Sequence, residues 1–221
     1  MNKIGIATLA CIAVAILILP GTVSAWGWTT HRGVTSYAAY YGQHDTSDAK
    51  NYWNVVRDYS TTPDTWGESP YYHGYNTFWS YGGAPDRCEH YAYIARSCAL
   101  PEQKAQYLGY SLHYMEDVGN PYHTVFWTNL YAEKHDAYES WVDNNFWSGE
   151  NYYVPAYYGA IYSNSYASVS DPSDGVVSLA GISNGYISYV DTEAEWQDNG
   201  WATYNCVWYT SSYSAELIDW I

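Results

Sequence analysis

Residues 101–123 read "PEQKAQYLGYSLHYMEDVGNPYH". Ala105, Leu108, Leu112 and Met115 recur every three or four positions and form one apolar stripe. That period belongs to a helix with one buried face. The spacing predicts a helix over 101–118, ended by Pro121, which cannot continue it. The same stretch holds His113, Asp117 and His123, three metal-ligand types within eleven residues. On these residues alone, the ordinary end of an amphipathic helix explains them as well as a metal site does.

The neighbouring sequence repeats the helical pattern. Segment 30–42 starts at Thr30, a capping residue, and stops at Gly42. Segment 44–60 places Tyr52, Val55, Val56 and Tyr59 at helical spacing. The stretch "TTPDTWGESPYYHGYN" (61–76) is rich in Pro, Gly and Ser and reads as loop. Helices are expected over 85–99 and 133–144, then over 175–191 capped by Asp174 or Ser173, and over 201–220. From 146 the chain loosens into a long surface segment with a short helix inside it. Few segments alternate with period two. The fold class is therefore all-α, a single-domain bundle of six to eight helices, with no repeat or linker inside 26–221.

The 221 residues suffice for one domain with a sizeable core. Residues 1–25 read separately: Lys3, the apolar run "IGIATLACIAVAILIL", then Pro20, Gly21 and "TVSA". This is the pattern of a secretory signal, with cleavage expected between Ala25 and Trp26. A retained N-terminal anchor is the alternative, since sixteen apolar residues lie at the low margin for a span. The expected mature chain, 26–221, is secreted or extracytoplasmic.

It keeps Cys88, Cys98 and Cys206, an odd count for an oxidising compartment. Cys88 and Cys98 lie ten apart on an expected helix, about 15 Å by helix rise and too far to bridge. A disulfide would therefore pair Cys206 with one of them. No CxxC occurs, which excludes a cysteine-based zinc ribbon. The net charge is −15, and −16 once Lys3 is lost. Such a chain repels long nucleic acids and anionic membranes unless bound cations intervene. The 28 Tyr and 12 Trp against three Phe give many rings with an apolar body and a polar tip.

His113 and Asp117 stand at i and i+4, so they share one helix face. His135 and Glu139 repeat the spacing on the next expected helix. Helix bundles build metal sites from such paired ligands on facing helices, and zinc accepts imidazole nitrogen and carboxylate oxygen. A core histidine or a surface pair would explain either pair singly. Two pairs and His123 within 27 residues, holding three of the seven histidines, favour metal.

"LGYSLHYMEDVGNPYHT" (108–124) followed by "KHDAYESWVD" (134–143) resembles the zinc-dependent phospholipase C family, whose fold is shared with S1/P1-type nucleases. The family pattern is a His, a carboxylate four on, a Pro-x-His, and His-x-x-x-Glu on the following helix. The start "WGWTTHRG" (26–33) extends the likeness, because family members begin with Trp once the signal is removed.

The resemblance implies three Zn²⁺ ions. One would be held by the α-amino nitrogen and carbonyl of Trp26, by His31 and by Asp117. The second would take Asp64, His73, His113 and Asp117, with Asp117 bridging the two. The third would take His123, His135 and Glu139. His90 competes for the role of His73; His44 and His90 are otherwise read as structural or surface residues. An α-amino group has a pKa roughly two and a half units below that of Lys, so it yields its proton to a metal more readily, and it exists only after cleavage at Ala25.

The implied activity is hydrolysis of a phosphate ester by a zinc-activated water, with Asp64 doubling as catalytic base. The implied substrate is a phospholipid or another phosphate ester, with transient contact at a membrane surface. The family's choline-holding Glu, three residues after the N-terminal Trp, is replaced here by Thr29. A nuclease acting on single strands is the nearest alternative. A non-catalytic, zinc-stabilised extracellular structural protein is the alternative from another class.

Overall fold

A computed structural model describes residues 26–42, 47–125, 129–146, 169–191 and 200–221. The expected signal segment, His44, the loosened stretch from 147 and residues 192–199 lie outside them. Among the described residues there are nine α-helices and no strand, only an isolated bridge between Asn76 and Tyr81. The architecture is all-α, as the spacing predicts. In chain order the helices are α1 (Trp28–Tyr41), α2 (Ser47–Asn51), α3 (Trp53–Tyr59), α4 (Ala84–Ser97), α5 (Pro101–Asp117), α6 (Asn129–Phe146), α7 (Pro172–Asn184), α8 (Ile187–Val190) and α9 (Trp201–Trp220). Three 3-10 turns, Pro63–Trp66, Pro70–His73 and Pro121–Thr124, join them.

Two expected helices are each divided. The segment 44–60 breaks at Tyr52 (φ −113°, ψ 25°), which separates α2 from α3. The break lets the adjacent Tyr52 and Trp53 both pack on the core; on one straight helix neighbours point about 100° apart. The segment 175–191 breaks at Gly185 and Tyr186 into α7 and α8. The cap of α7 is Asp171, whose side chain accepts from Ser173 N (2.9 Å) and Asp174 N (3.3 Å), not Asp174 or Ser173. Pro172 occupies the first helical position, where its missing N–H costs nothing, so the helix starts earlier than its apolar pattern.

Helix α5 is the central element. Leu108, Leu112 and Met115 share one buried cluster with Cys88 and Ala92 of α4 and Val176 and Leu179 of α7. Gly109 lets α3 approach: a Cβ there would fall 2.5 Å from the Val56 carbonyl oxygen. A second apolar cluster gathers Trp26, Val34, Tyr122, Tyr138, Val142, Cys206 and Val207. His113 and Asp117 of α5 adjoin Leu112 and Val118 of the first cluster, and Glu139 of α6 adjoins Tyr138 of the second.

All three described cysteines are free, against the expected disulfide. Cys88 belongs to the first cluster and bonds Ser111, while Cys206 belongs to the second. Burial pushes the Cys88 thiol up to about 12. No described helix is long and apolar enough to cross a membrane.

Candidate metal centre

The buried end of α5 holds His113 and Asp117 one turn apart, both inaccessible to solvent. Helix α1 brings His31 against them. Its first turn has no capping side chain of its own, because Gly27 precedes it. Asp143 of α6 supplies the cap, accepting from Thr29 N (3.0 Å), Thr30 N (3.0 Å) and Thr30 Oγ1 (2.6 Å). This cross-helix bond fixes where Trp26 and His31 lie. Trp26 is fully buried, with its backbone nitrogen 3.4 Å from His31 Nε2.

The two oxygens of Asp117 face different partners. Oδ1 lies 3.3 Å from His31 Nε2. Oδ2 lies 2.9 Å from His73 Nδ1 and 3.4 Å from His113 Nε2. Asp64, from the first 3-10 turn, adds Oδ1 at 3.5 Å from His113 Nε2 and 4.0 Å from His73 Nδ1. A third group sits apart: His123 Nε2 is 2.7 Å from His135 Nε2 and 3.4 Å from Glu139 Oε1, which is 2.5 Å from His135 Nε2. All nine residues named from the sequence thus stand in or beside these groups. His90 does not; it lies on α4, in a surface cleft with Asp86 and Glu89.

Most rings have their second nitrogen tied down. His31 Nδ1 pairs with Glu116 Oε2 (2.7 Å), whose other oxygen accepts from Thr35 Oγ1 (2.7 Å). His113 Nδ1 faces the Ser60 carbonyl (2.8 Å), His123 Nδ1 the His73 carbonyl (2.5 Å) and His135 Nδ1 the Asp136 carboxylate (3.0 Å). Such partners orient a metal-binding ring and fix its tautomer. Asn120 Nδ2 donates to Glu139 Oε1 at 3.0 Å. None of these supporting residues was singled out from the sequence. Thr35, one turn after His31, was the available sign of a polar network on that face.

The electrostatics follow from burial and crowding. Burial pushes the Asp117 carboxyl upward, but the facing His113, His31 and His73 rings outweigh it and hold it far below the carboxylate range. Burial drives His113 well below its ordinary value and His123 down to about 3, which keeps both neutral. Burial also opposes charge on His31, yet the Asp117 and Glu116 carboxylates raise it. Burial lifts Glu116 to about 7. His135 and Glu139 form a tightly coupled pair in which burial and mutual attraction retain a proton at neutral pH.

The donor set suits a metal. His31, His113 and Asp117, then Asp64, His73 and His113, then His123, His135 and Glu139 each place ligand atoms within 4.8 Å of one another. Ligands about 2.0–2.1 Å from a tetrahedral zinc stand about 3.4 Å apart, and most separations here bracket that value. Asp117 Oδ1 is buried without a well-formed hydrogen bond. A buried carboxylate left so is costly unless a cation completes its shell.

Among solved structures, the chain is similar to the alpha toxin from Clostridium absonum, with a TM-score of 0.67 at 14% identity over 89% of this chain and 62% of that one. It is also similar to the Clostridium perfringens alpha-toxin isolated from avian strain SWCP, with a TM-score of 0.51 at 14% identity and the same coverage. The chain therefore spans less than two thirds of the length of these proteins. At this identity the likeness establishes the all-helical fold. No family model matches the sequence, and no curated protein matches it.

Proposed function

We propose that the chain is an exported zinc-dependent phosphodiesterase, released by cleavage between Ala25 and Trp26, that hydrolyses a phosphate ester, in the first instance a phospholipid as phospholipase C does. The observation that carries this reading is the Asp117 carboxylate, one oxygen toward His31 and the other toward His73 and His113. A carboxylate so divided suits a pair of ions that share it. Trp26, His31 and Asp117 would hold one ion; Asp64, His73, His113 and Asp117 the second; His123, His135 and Glu139 the third.

When bound, the ions supply Lewis acidity that polarises a phosphoryl oxygen and makes water nucleophilic near neutral pH. The protein supplies the rest. With three doubly charged ions held by Asp64, Asp117, Glu139 and their histidines, this region would be positive on an otherwise acidic chain, and a phosphate ester would be drawn to the site and not to the surface at large. Asp64 is the most accessible of the three, its side chain 16% exposed where Asp117 is 0%. In this reading Asp64 would accept a proton from an entering water, while Asp117 stays ionised. Glu116, through His31 Nδ1, directs Nε2 of that ring toward Asp117.

The test uses protein that begins at Trp26. Zinc per chain is measured, and then turnover of a nitrophenyl phosphocholine, phospholipid vesicles and single-stranded DNA. Three ions with hydrolysis of the first two support the proposal. Cleavage of DNA alone would make the chain a nuclease, a class disfavoured by eight basic against 23 acidic residues. Three ions and no turnover of any substrate would make it a zinc-stabilised structural protein.

A further inference from the structure

Between His73 and α4 the chain makes one tight turn. Asn76 and Tyr81 exchange both backbone hydrogen bonds, at 2.7 and 3.1 Å. The Asn76 side chain accepts from Trp79 N (2.9 Å) and donates to the Thr124 carbonyl (3.1 Å). Ser80 adopts the left-handed conformation (φ 49°). Gly82 (φ 139°) is pressed so close to Gly74 that a Cβ would lie 2.1 Å from the Gly74 carbonyl oxygen. These bonds and contacts hold the turn in one shape.

That shape puts large rings into water. Phe78 is 82% exposed, Trp79 63% and Tyr81 55%. Phe78 and Trp79 meet edge to face at 4.9 Å, and Tyr81 meets Tyr71 at 5.1 Å. Single exposed apolar residues are ordinary, but three exposed rings on one hydrogen-bonded turn mark a candidate docking surface. Residues 74–83, "GYNTFWSYGG", contain no charged residue on a chain of net charge −15. An anionic surface would be repelled by the chain as a whole, and a cationic partner finds no carboxylate in the turn. Trp and Tyr favour the boundary between hydrocarbon and head groups. The uncharged turn matches the neutral boundary of a zwitterionic bilayer.

The turn also hangs from the candidate metal centre. Tyr75 N donates to the His123 carbonyl at 2.9 Å, and Tyr75 follows His73 by two residues. A surface gripped by the turn therefore lies beside the ligand-type residues.

We propose that the turn 77–81 is an interfacial anchor, which seats the protein on a zwitterionic phospholipid surface through Phe78, Trp79 and Tyr81. This deepens the phospholipid reading above, and its test is separable from that reading. Metal-loaded protein is floated on ice with phosphatidylcholine vesicles and with vesicles enriched in phosphatidylserine. Wild type should prefer the first. Phe78→Ala with Trp79→Ala should weaken vesicle binding roughly tenfold per ring, with zinc content and turnover of a water-soluble phosphodiester unchanged. Phe78→Ala alone, at the most exposed ring, should show the single-ring loss without disturbing the turn's hydrogen bonds. Undiminished binding by the double variant, stronger binding of wild type to the anionic vesicles, or no binding by wild type would overturn the anchor. A wild-type dimer that the same substitutions dissociate would overturn it in favour of self-association. Vesicle binding that depends on both rings, with no phosphodiester turned over, would keep the anchor and sink the enzymatic reading.

Discussion

Asp117→Asn tests the sharing of one carboxylate between two metal positions. The substitution keeps the shape of the side chain but removes its charge and one of its two oxygens. In the structure those oxygens are divided, Oδ1 at 3.3 Å from His31 Nε2 and Oδ2 at 2.9 Å from His73 Nδ1. An amide nitrogen cannot ligate, so one position loses a ligand, and the other keeps a neutral oxygen in place of an anion. A four-ligand zinc site is worth about 10–16 kcal/mol at neutral pH. Divided among four ligands, that is about 2.5–4 kcal/mol each, or ~10²- to 10³-fold in dissociation constant. Both affected ions should be lost at a free zinc concentration that just saturates the wild type. The assay is zinc per chain by mass spectrometry after dialysis in a zinc buffer, beside Glu139→Gln as control. The expected contents are three ions for the wild type, two for Glu139→Gln and one for Asp117→Asn, with hydrolysis abolished in the last. Retention of all three ions by Asp117→Asn, or loss of a single one, would refute the sharing.

Glu116→Gln should weaken the ion beside His31 by 10- to 100-fold, the usual cost of losing a supporting partner, and leave the His123 group unchanged; zinc titration of each variant decides it. Loading chelator-stripped protein at pH 7 should release protons, because His135 is held up at about 9 and Glu139 at about 8. With both values raised, proton and metal compete at neutral pH, and affinity climbs as pH rises towards 8–9; calorimetry in buffers of differing ionisation enthalpy would show no buffer dependence if the pair were already proton-free. Gly109→Ala drives a methyl to 2.5 Å from the Val56 carbonyl oxygen and should cost about 1–3 kcal/mol by overpacking, read from denaturant unfolding. Asp143→Ala removes the cross-helix cap of α1 and should destabilise by about 1 kcal/mol, with a measurable drop in zinc bound near His31.

The sequence by itself determined the helical class and the local geometry of the His–carboxylate pairs. A period of three to four residues places Leu108, Leu112 and Met115 on one side of α5, and a spacing of four places Asp117 one turn from His113, whatever the rest of the chain does. Local rules also marked the stops at Gly42 and Pro121. They failed where neighbours decided the outcome. Tyr52 breaks its helix so that two adjacent rings reach the core, and Asp171 caps α7 from before a proline that the apolar pattern does not include. The disulfide expectation failed for the same reason: an odd count says nothing about which packed cluster each cysteine joins.

Only the tertiary structure could set His31 against one oxygen of Asp117 and His73 against the other, because these three residues come from α1, α5 and a 3-10 turn far apart in the chain. The place of His31 depends on Asp143 holding the start of α1, and the absence of a side chain at Gly109 lets α3 bring the Ser60 carbonyl to His113. The supporting partners, Glu116, Ser60 and Asn120, were invisible for the same physical reason. A buried polar group is recognised by the group that satisfies it, and that group is a property of packing, not of spacing.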